Sequence, residues 1–287
     1  MTRKNLLLLT GISAAATILL TGTSQGIVMY GLGSGGQIYS FDTATPGTVN
    51  AVGSATAAGV VDIDFRGSNN KLYALASNGS TSSINTSNGL LTPLFSASHT
   101  ITGGVSGFDF NPAADRMRII GGGVNNFRMV PDGIAGMTAG TVVNGASTAD
   151  GQFATPIGVT LLDVAYTNPF NGIAGTSLFS IGSDGILYSH PAVGAPQFNT
   201  LAAVGALGVS IGSDIGFDID GTGTGWLVSG TSLYSVNLTT GAATSAGTLG
   251  TSLTSISAVP EPGSAVVLVS TAGLFFLRRR RAVWMNE

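Results

Sequence analysis

The stretch GFDFNPAADRMRIIGGGVNNFR, residues 107–128, decides the fold. Phe108-Asp109-Phe110 alternates apolar, acidic, apolar, the period-two mark of a half-buried strand. Asn111, Pro112 and Asp115 then supply turn chemistry. A second strand follows over 117–120, a triple-glycine break at 121–123, and a third strand through Phe127. The same order occurs four times. Strand 61–65 leads through a turn at 67–70 to 72–75, strand 161–166 through Asn168-Pro169 to 178–181, and strand 216–220 through a glycine-rich turn to 226–228. Asp62, Asp109, Asp163 and Asp218 hold equivalent places, 47, 54 and 55 residues apart.

Working outward, each repeat predicts four short strands, the second repeat ending on one near 140–143 and the fourth continuing through 226–229, 232–236 and 242–247. An opening unit (28–32, 37–41 and 48–52) lacks the Asp-containing first strand, while one spare alternating strand, SLTSISAV at 252–259, closes the chain. Pairing the two gives an all-β, β-propeller-like fold of about five four-stranded blades closed by N- and C-terminal strands. Repeats of this length suit a propeller, and ring closure removes exposed sheet edges. An irregular sandwich or open solenoid is the competing arrangement.

Composition agrees. The 287 residues include 43 glycines, and 44% are hydrophobic against 9% charged, a balance unlike that of disordered chains. The segment 27–258 holds five basic residues and twelve aspartates, a net charge of about −7. Nucleic acid is excluded as a partner, since phosphate neutralisation needs clustered Lys and Arg. The chain has no cysteine, which removes disulfides, thiol redox chemistry and thiolate zinc sites.

Both ends read as sorting information. Residues 1–26 have Arg3-Lys4, an apolar stretch at 6–20 and small residues Gly22-Thr23-Ser24, the order of an export signal peptide. A retained membrane anchor is the alternative. At the other end Pro260, Glu261 and Pro262 precede an apolar run at 265–277 and then Arg278, Arg279, Arg280 and Arg281. As a helix those 13 residues span roughly 20 Å, short of the ~30 Å hydrocarbon core unless arginines snorkel or the bilayer thins. The arginines then act as a membrane stop on the cytoplasmic side.

This tail resembles the PEP-CTERM sorting signal. The resemblance implies export by the Sec machinery, handling by an exosortase that reads Pro260, Glu261 and Pro262, transient membrane anchoring, and an envelope or extracellular destination among exopolysaccharide. The body, through 107–112, 115–118, 126–128, 165–168, 203–208 and 216–219, resembles the DUF4394 family, which has no assigned activity and so transfers no catalytic residues. The domains expected are therefore 1–26, signal peptide; 27–258, DUF4394-like propeller; and 259–287, sorting and anchor segment. The Gly121-Gly122-Gly123 break departs from the polar turn expected there.

The sequence offers few candidates for chemistry. Asp62, Asp64, Asp109, Asp163, Asp218 and Asp220 recur on first strands, which line a propeller's channel, so they could converge on an oxygen-ligand site for Ca²⁺. Otherwise each accepts backbone N–H groups of its following turn and fixes geometry. Arg116 and Arg118 project from one strand face and, with Arg128, could grip an acidic sugar, or pair internally with Asp109 or Asp115. Residues 31–36 fit G-x-G-x-x-G, but a strand follows where a dinucleotide site needs a helix. Residues 208–212 fit G-x-S-x-G without the helix of a nucleophile elbow. His99 and His190 read as ordinary surface or turn residues. Two functions follow from this: a non-catalytic binding or matrix protein with no cofactor, or a hydrolase or lyase using channel aspartates with Ca²⁺.

Overall fold

The computed structural model describes residues 26–56, 59–142, 151–192 and 198–260. The expected signal helix, the apolar tail with its arginines, Glu261 and Pro262 lie outside the described residues. Among the described residues no helix is long and apolar enough to cross a membrane.

The strands are, in chain order, β1 (Val28–Gly33), β2 (Gln37–Asp42), β3 (Val49–Thr56), β4 (Val60–Arg66), β5 (Lys71–Ala76), β6 (Ser80–Ile84), β7 (Leu91–Ser96), β8 (Val105–Asn111) and β9 (Arg116–Gly121). They continue as β10 (Asn125–Met129), β11 (Leu161–Tyr166), β12 (Leu178–Gly182), β13 (Ile186–His190), β14 (Ala202–Ala206), β15 (Ile215–Ile219), β16 (Gly225–Val236) and β17 (Ala243–Ala258). Four antiparallel sheets hold them in a propeller-like arrangement: β4-β5-β6-β7, β8-β9-β10, β11-β12-β13-β14 and the six-stranded β15-β16-β17-β1-β2-β3.

The local devices are those the turn residues dictate. In three units the loop from the first to the second strand contains a residue with positive φ: Asn70 at 53° and Asp115 at 49°, each just before the second strand, and Asn168 at 59°, just after the first. Asn and Asp tolerate that conformation better than other residues with a Cβ. In the second unit Asn111 Oδ1 also accepts the N–H groups of Ala113 and Ala114, an Asx turn closing the loop.

First strands sit side by side around an axis: β4 beside β8, β8 beside β11, β11 beside β15, β15 beside β17, and β17 beside β4. Apolar clusters fill the wedges between neighbouring units. Tyr73, Phe108 and Phe127 belong to one and Ile63, Leu72 and Ile38 to another. Phe217 with Leu187, Leu253 with Met29, and Tyr166 with Phe198 mark the remaining three. The expected closure is present. The C-terminal part of β17 pairs with β1 in the register Met29↔Ala258, Gly31↔Ile256 and Gly33↔Leu253.

One expected strand needs correction. The fourth strand placed near 140–143 is reduced, among the described residues, to one bridge, Met129↔Val142, leaving that sheet three-stranded. The strands expected at 226–229 and 232–236 both form within the span β16: the first half pairs with β15, the second with β17, and Gly230 at φ +61° turns the chain back so that Gly225 lies against the Val236 carbonyl. The strands expected at 242–247 and 252–259 likewise both form within the span β17, the first pairing with β16 and the second with β1, with Gly247 at φ +139° where the outer strand of one unit passes to the inner strand of the next.

The packing of β15 on β17 permits no side chain at Gly216, where a methyl would lie 2.5 Å from both Ile256 N and Ser255 Cα. Gly216→Ala should cost about 1–3 kcal/mol in urea unfolding, the usual penalty for overpacking. Gly212→Ala, with its nearest neighbour 3.7 Å away, should cost less than about 0.5 kcal/mol. Equal effects would mean that this contact does not hold the ring together.

Candidate functional site

An inner strand of each unit presents one edge to the next unit, and its N–H groups there have no sheet partner. The aspartates meet that need. Asp62 accepts the N–H of Phe108 at 2.6 Å, and Asp64 that of Phe110 at 3.0 Å. Asp109 accepts Tyr166 N–H at 2.9 Å, Asp163 accepts Phe217 N–H at 2.7 Å, and Asp218 accepts Ala258 N–H at 2.6 Å. The final link uses hydroxyls. Ser255 Oγ accepts Ile63 N–H at 3.0 Å and Ser257 Oγ accepts Phe65 N–H at 2.9 Å, while the same hydroxyls donate to Asp62 at 2.6 Å and Asp64 at 2.9 Å. The circuit of side chain to next-strand N–H is thus complete around the axis.

The expectation that each Asp binds its own following turn therefore holds only for Asp220, which accepts the N–H groups of Thr222 and Thr224 and Trp226 Nε1–H. The other five reach forward to the neighbouring unit. Ser255 and Ser257 were not singled out by sequence, because a search for carboxylates passes over hydroxyls. The available signal was spacing: Ser255-Ile256-Ser257 repeats the alternation of Asp62-Ile63-Asp64.

All five axial carboxyls are buried, and burial pushes each above the ordinary carboxylate range. Asp62 rises to about 7 and Asp64 to about 6, with hydrogen bonds to Ser255, Phe108, Phe110 and Ser257 opposing the shift. Asp109, Asp163 and Asp218 are also raised, by burial first and then by neighbouring carboxylates. Asp64, Asp109 and Asp218 each bring one carboxylate oxygen within 4.8 Å of the others. Oxygen clusters of this kind suit Ca²⁺, although Ca²⁺ takes six to eight ligands and oxygens of all three also accept the N–H bonds above.

The arginines lie off the axis. Arg118 is buried, donates from Nε to Tyr166 Oη at 3.1 Å and from Nη1 to Asn126 at 2.5 Å, and lies over the Phe198 ring. Arg116 donates to the carbonyls of Ala114 and Asp115 and reaches Met137 Sδ. Together with Arg128 they line a small cavity of about 70 Å³ beside Tyr166 and Phe198. Asp115 takes a different guanidinium from the one expected. Arg66 grips it through Nε and Nη2, both at 2.7 Å, and reaches Asp132 as well, clamping the first repeat to the second.

His190 corrects another expectation. It is buried, not a surface residue, with Nε2 2.7 Å from Ser180 Oγ and Nδ1 2.9 Å from the Phe198 carbonyl. That carbonyl fixes the proton on Nδ1, so Nε2 accepts from the hydroxyl. Burial lowers its pKa to about 4. Ser180 is itself fully buried, so the pair is structural. His99 is near the surface, with Nδ1 2.9 Å from Ser98 Oγ. Residues 31–36 run from the end of β1 through the β1–β2 turn, which Gly36 N–H closes on the Gly33 carbonyl. Residues 208–212 lie in the loop before β15.

At the end of the axis where the inner strands begin lies an open cavity of about 500 Å³. Ser34, Ser106, Thr160, Ser213 and Thr254 contribute to its lining, with Asp214 its one ionisable residue. Gly122 and Gly123 form part of its rim, and a methyl at Gly123 would stand 2.7 Å from Thr160 Cβ. Close packing thus accounts for glycines where a polar turn was expected.

Residues 37–259 match the family model described as "Domain of unknown function (DUF4394)". No curated protein matches the sequence. Among solved structures the chain is similar to one described as "The de novo evolutionary emergence of a symmetrical protein is shaped by folding constraints", with 11% identity, TM-score 0.50, and coverage of 82% of this chain and 100% of that one. It is also similar to a chain of a nidogen/laminin complex, with 9% identity, TM-score 0.48 and coverage of 82% and 98%. A structural-genomics protein of unknown function from Bacteroides thetaiotaomicron has 11% identity, TM-score 0.47 and coverage of 84% and 62%. At such identities the likeness is one of fold alone.

Two outcomes follow from the axial chemistry. Asp109→Ala should lower stability by about 1–3 kcal/mol by orphaning the buried Tyr166 N–H. Asp109→Asn should be much milder at pH 8, since its carbonyl still accepts that N–H and its amide can donate to the adjacent carboxylates. Equal losses in the two variants would refute the role assigned to this carboxyl. The second outcome concerns pH. Carboxyls raised above their unfolded value contribute stability that is present below about 4 and lost as pH rises through about 6 for Asp64 and about 7 for Asp62. His190 works oppositely, its contribution being full above about 6.5 and lost as pH falls through about 4. Five carboxyls outweigh one imidazole, so the melting temperature should be higher at pH 5 than at pH 8. A steady rise from pH 5 to 8 would contradict the burial of charge described here.

Proposed function

The chain belongs to the DUF4394 family, and we propose that it is an exported, surface-targeted five-bladed β-propeller that binds a partner without catalysing a reaction. One observation carries this reading: the axial carboxylates are buried and committed to backbone N–H groups of the neighbouring strand. A hydrolase or lyase acid pair has to reach a substrate, and these side chains serve the frame. The blade count follows if the six-stranded sheet is divided within β17, whose first part pairs with β16 and whose last part pairs with β1.

The export reading rests on the chain ends. Residues 1–26 serve as a Sec signal, and 259–287 as a PEP-CTERM tail in which an exosortase reads Pro260, Glu261 and Pro262. Before processing, the apolar run holds the protein in the membrane and Arg278, Arg279, Arg280 and Arg281 stay cytoplasmic. The processed domain then resides in the envelope or outside it, in contact with extracellular polysaccharide. Fractionation of native cells with mass mapping of the mature C-terminus tests this, the expected product being extracytoplasmic and ending near Pro260. A cytoplasmic protein with the intact tail would refute it.

The grouping of Asp64, Asp109 and Asp218 favours one second reading, a Ca²⁺-dependent hydrolase or lyase. Melting with chelator and with millimolar Ca²⁺ separates the two. Binding predicts no change, whereas a Ca²⁺-dependent rise of roughly 5 °C or more would support the enzyme.

A further inference from the structure

We infer that the open cavity at the end of the axis is a binding site for a neutral, polyhydroxylated glycan; this deepens the binding role proposed above and rests on it. The cavity lies where inner strands from several units begin, so side chains from different units face one ligand. Ser34 comes from the β1–β2 turn, Ser106 from β8, Thr160 from the residue before β11, Ser213 from the loop before β15 and Thr254 from β17, the last donating its proton to the Leu32 carbonyl at 3.2 Å and so offering a ligand its lone pairs. Hydroxyls both donate and accept, and they rotate to suit their partner, which is what a ring bearing several hydroxyls requires. Val60, Val61 and Leu162, all half-buried, add apolar surface between them, against which the C–H face of a sugar can rest. The volume of about 500 Å³ is ample for a small ligand.

Charge narrows the class. No Lys or Arg lines the cavity, and its one ionisable residue is Asp214. Val61 and Leu162 in the lining immediately precede the buried Asp62 and Asp163, so carboxyls lie just below the floor. A carboxylated or sulfated sugar would meet no cation and at least one fixed negative charge. Asp214 instead suits a hydroxyl donor, since a carboxylate accepts strongly.

Orientation agrees with capture from outside. β1 runs from Val28, beside Ala258 near the chain ends, to Gly33, which lines the cavity. Both ends of the described chain therefore leave the side of the domain opposite the opening, and a domain tethered by its C-terminus would hold the opening away from the membrane.

The test is retention of the full chain, purified in detergent, on an array of neutral, amino-sugar and acidic glycans. Neutral glycans should be retained and acidic ones not. Asp214→Asn should weaken retention roughly tenfold or more, as expected for loss of a charged hydrogen-bond acceptor. Ser106→Trp, at an exposed position in the opening, should abolish it, while Thr92→Trp on the exposed outer strand β7 should leave it unchanged. Melting temperatures report whether each variant folds, and Asp214→Asn remains informative should Ser106→Trp not. Failure to retain any neutral glycan, or retention of acidic glycans in preference, would overturn the inference. Neutral retention that both opening variants leave intact would place binding on another surface, overturning the inference while leaving the binding role standing.

Discussion

The last six residues of β17 hold the molecule together, because they make two kinds of bond at once. Their backbone pairs with β1 in register, while the hydroxyls of Ser255 and Ser257 accept N–H groups from β4. The ladder joins the two chain ends within one sheet. The hydroxyls join that sheet to its neighbour across the axis. Removing either would reopen an edge, and with it a row of unpaired backbone groups.

Aspartate does the same task at the other interfaces, and its chemistry explains the choice. The exposed edge of an inner strand offers N–H donors, so the neighbouring side chain has to accept. A carboxyl has two oxygens and a short stem, enough to reach one strand over and, in Asp62, Asp163 and Asp218, to take the N–H of the next residue in its own chain as well. The cost is charge in a dry interior, which appears as a raised pKa at every one of the five. Where the ring closes, serine replaces aspartate and adds a donor. Its hydroxyl protons go to Asp62 and Asp64, and these are the two carboxyls that carry a hydroxyl bond opposing the effect of burial.

The sequence made the repeat legible because the signal is local. Phe108-Asp109-Phe110 with its Asn-Pro turn is a strand and a hairpin on short-range grounds, and 47 to 55 residues of spacing imply a ring. Pairing of the spare last strand with the opening unit followed from counting strands. What escaped depends on contacts distant in sequence. No local rule says that Asp62 accepts from a residue 46 positions on, so the following turn was the nearer guess. Asp115 seemed destined for Arg116 or Arg118, yet its partner Arg66 lies 49 residues back in the preceding unit. His190 precedes a proline at a strand end and so read as exposed, while the packing of Phe153 and Phe198 over it buries it.

Placing the carboxyls in the frame has a consequence for where function can reside. Groups that hold neighbouring strands together cannot move toward a ligand without releasing buried N–H donors, each at a cost of about 1–3 kcal/mol. The axis is therefore rigid and its acids unavailable, and variation is tolerated best at the ends of the strands. There the loops are free of the ring constraint, and the residues change character from Asp and Phe to Ser, Thr and Gly. One end of the axis carries the two ends of the described chain. The other is open and lined by side chains from several units. A frame closed by internal acids thus leaves the surface of the axis to the hydroxyls at its rim.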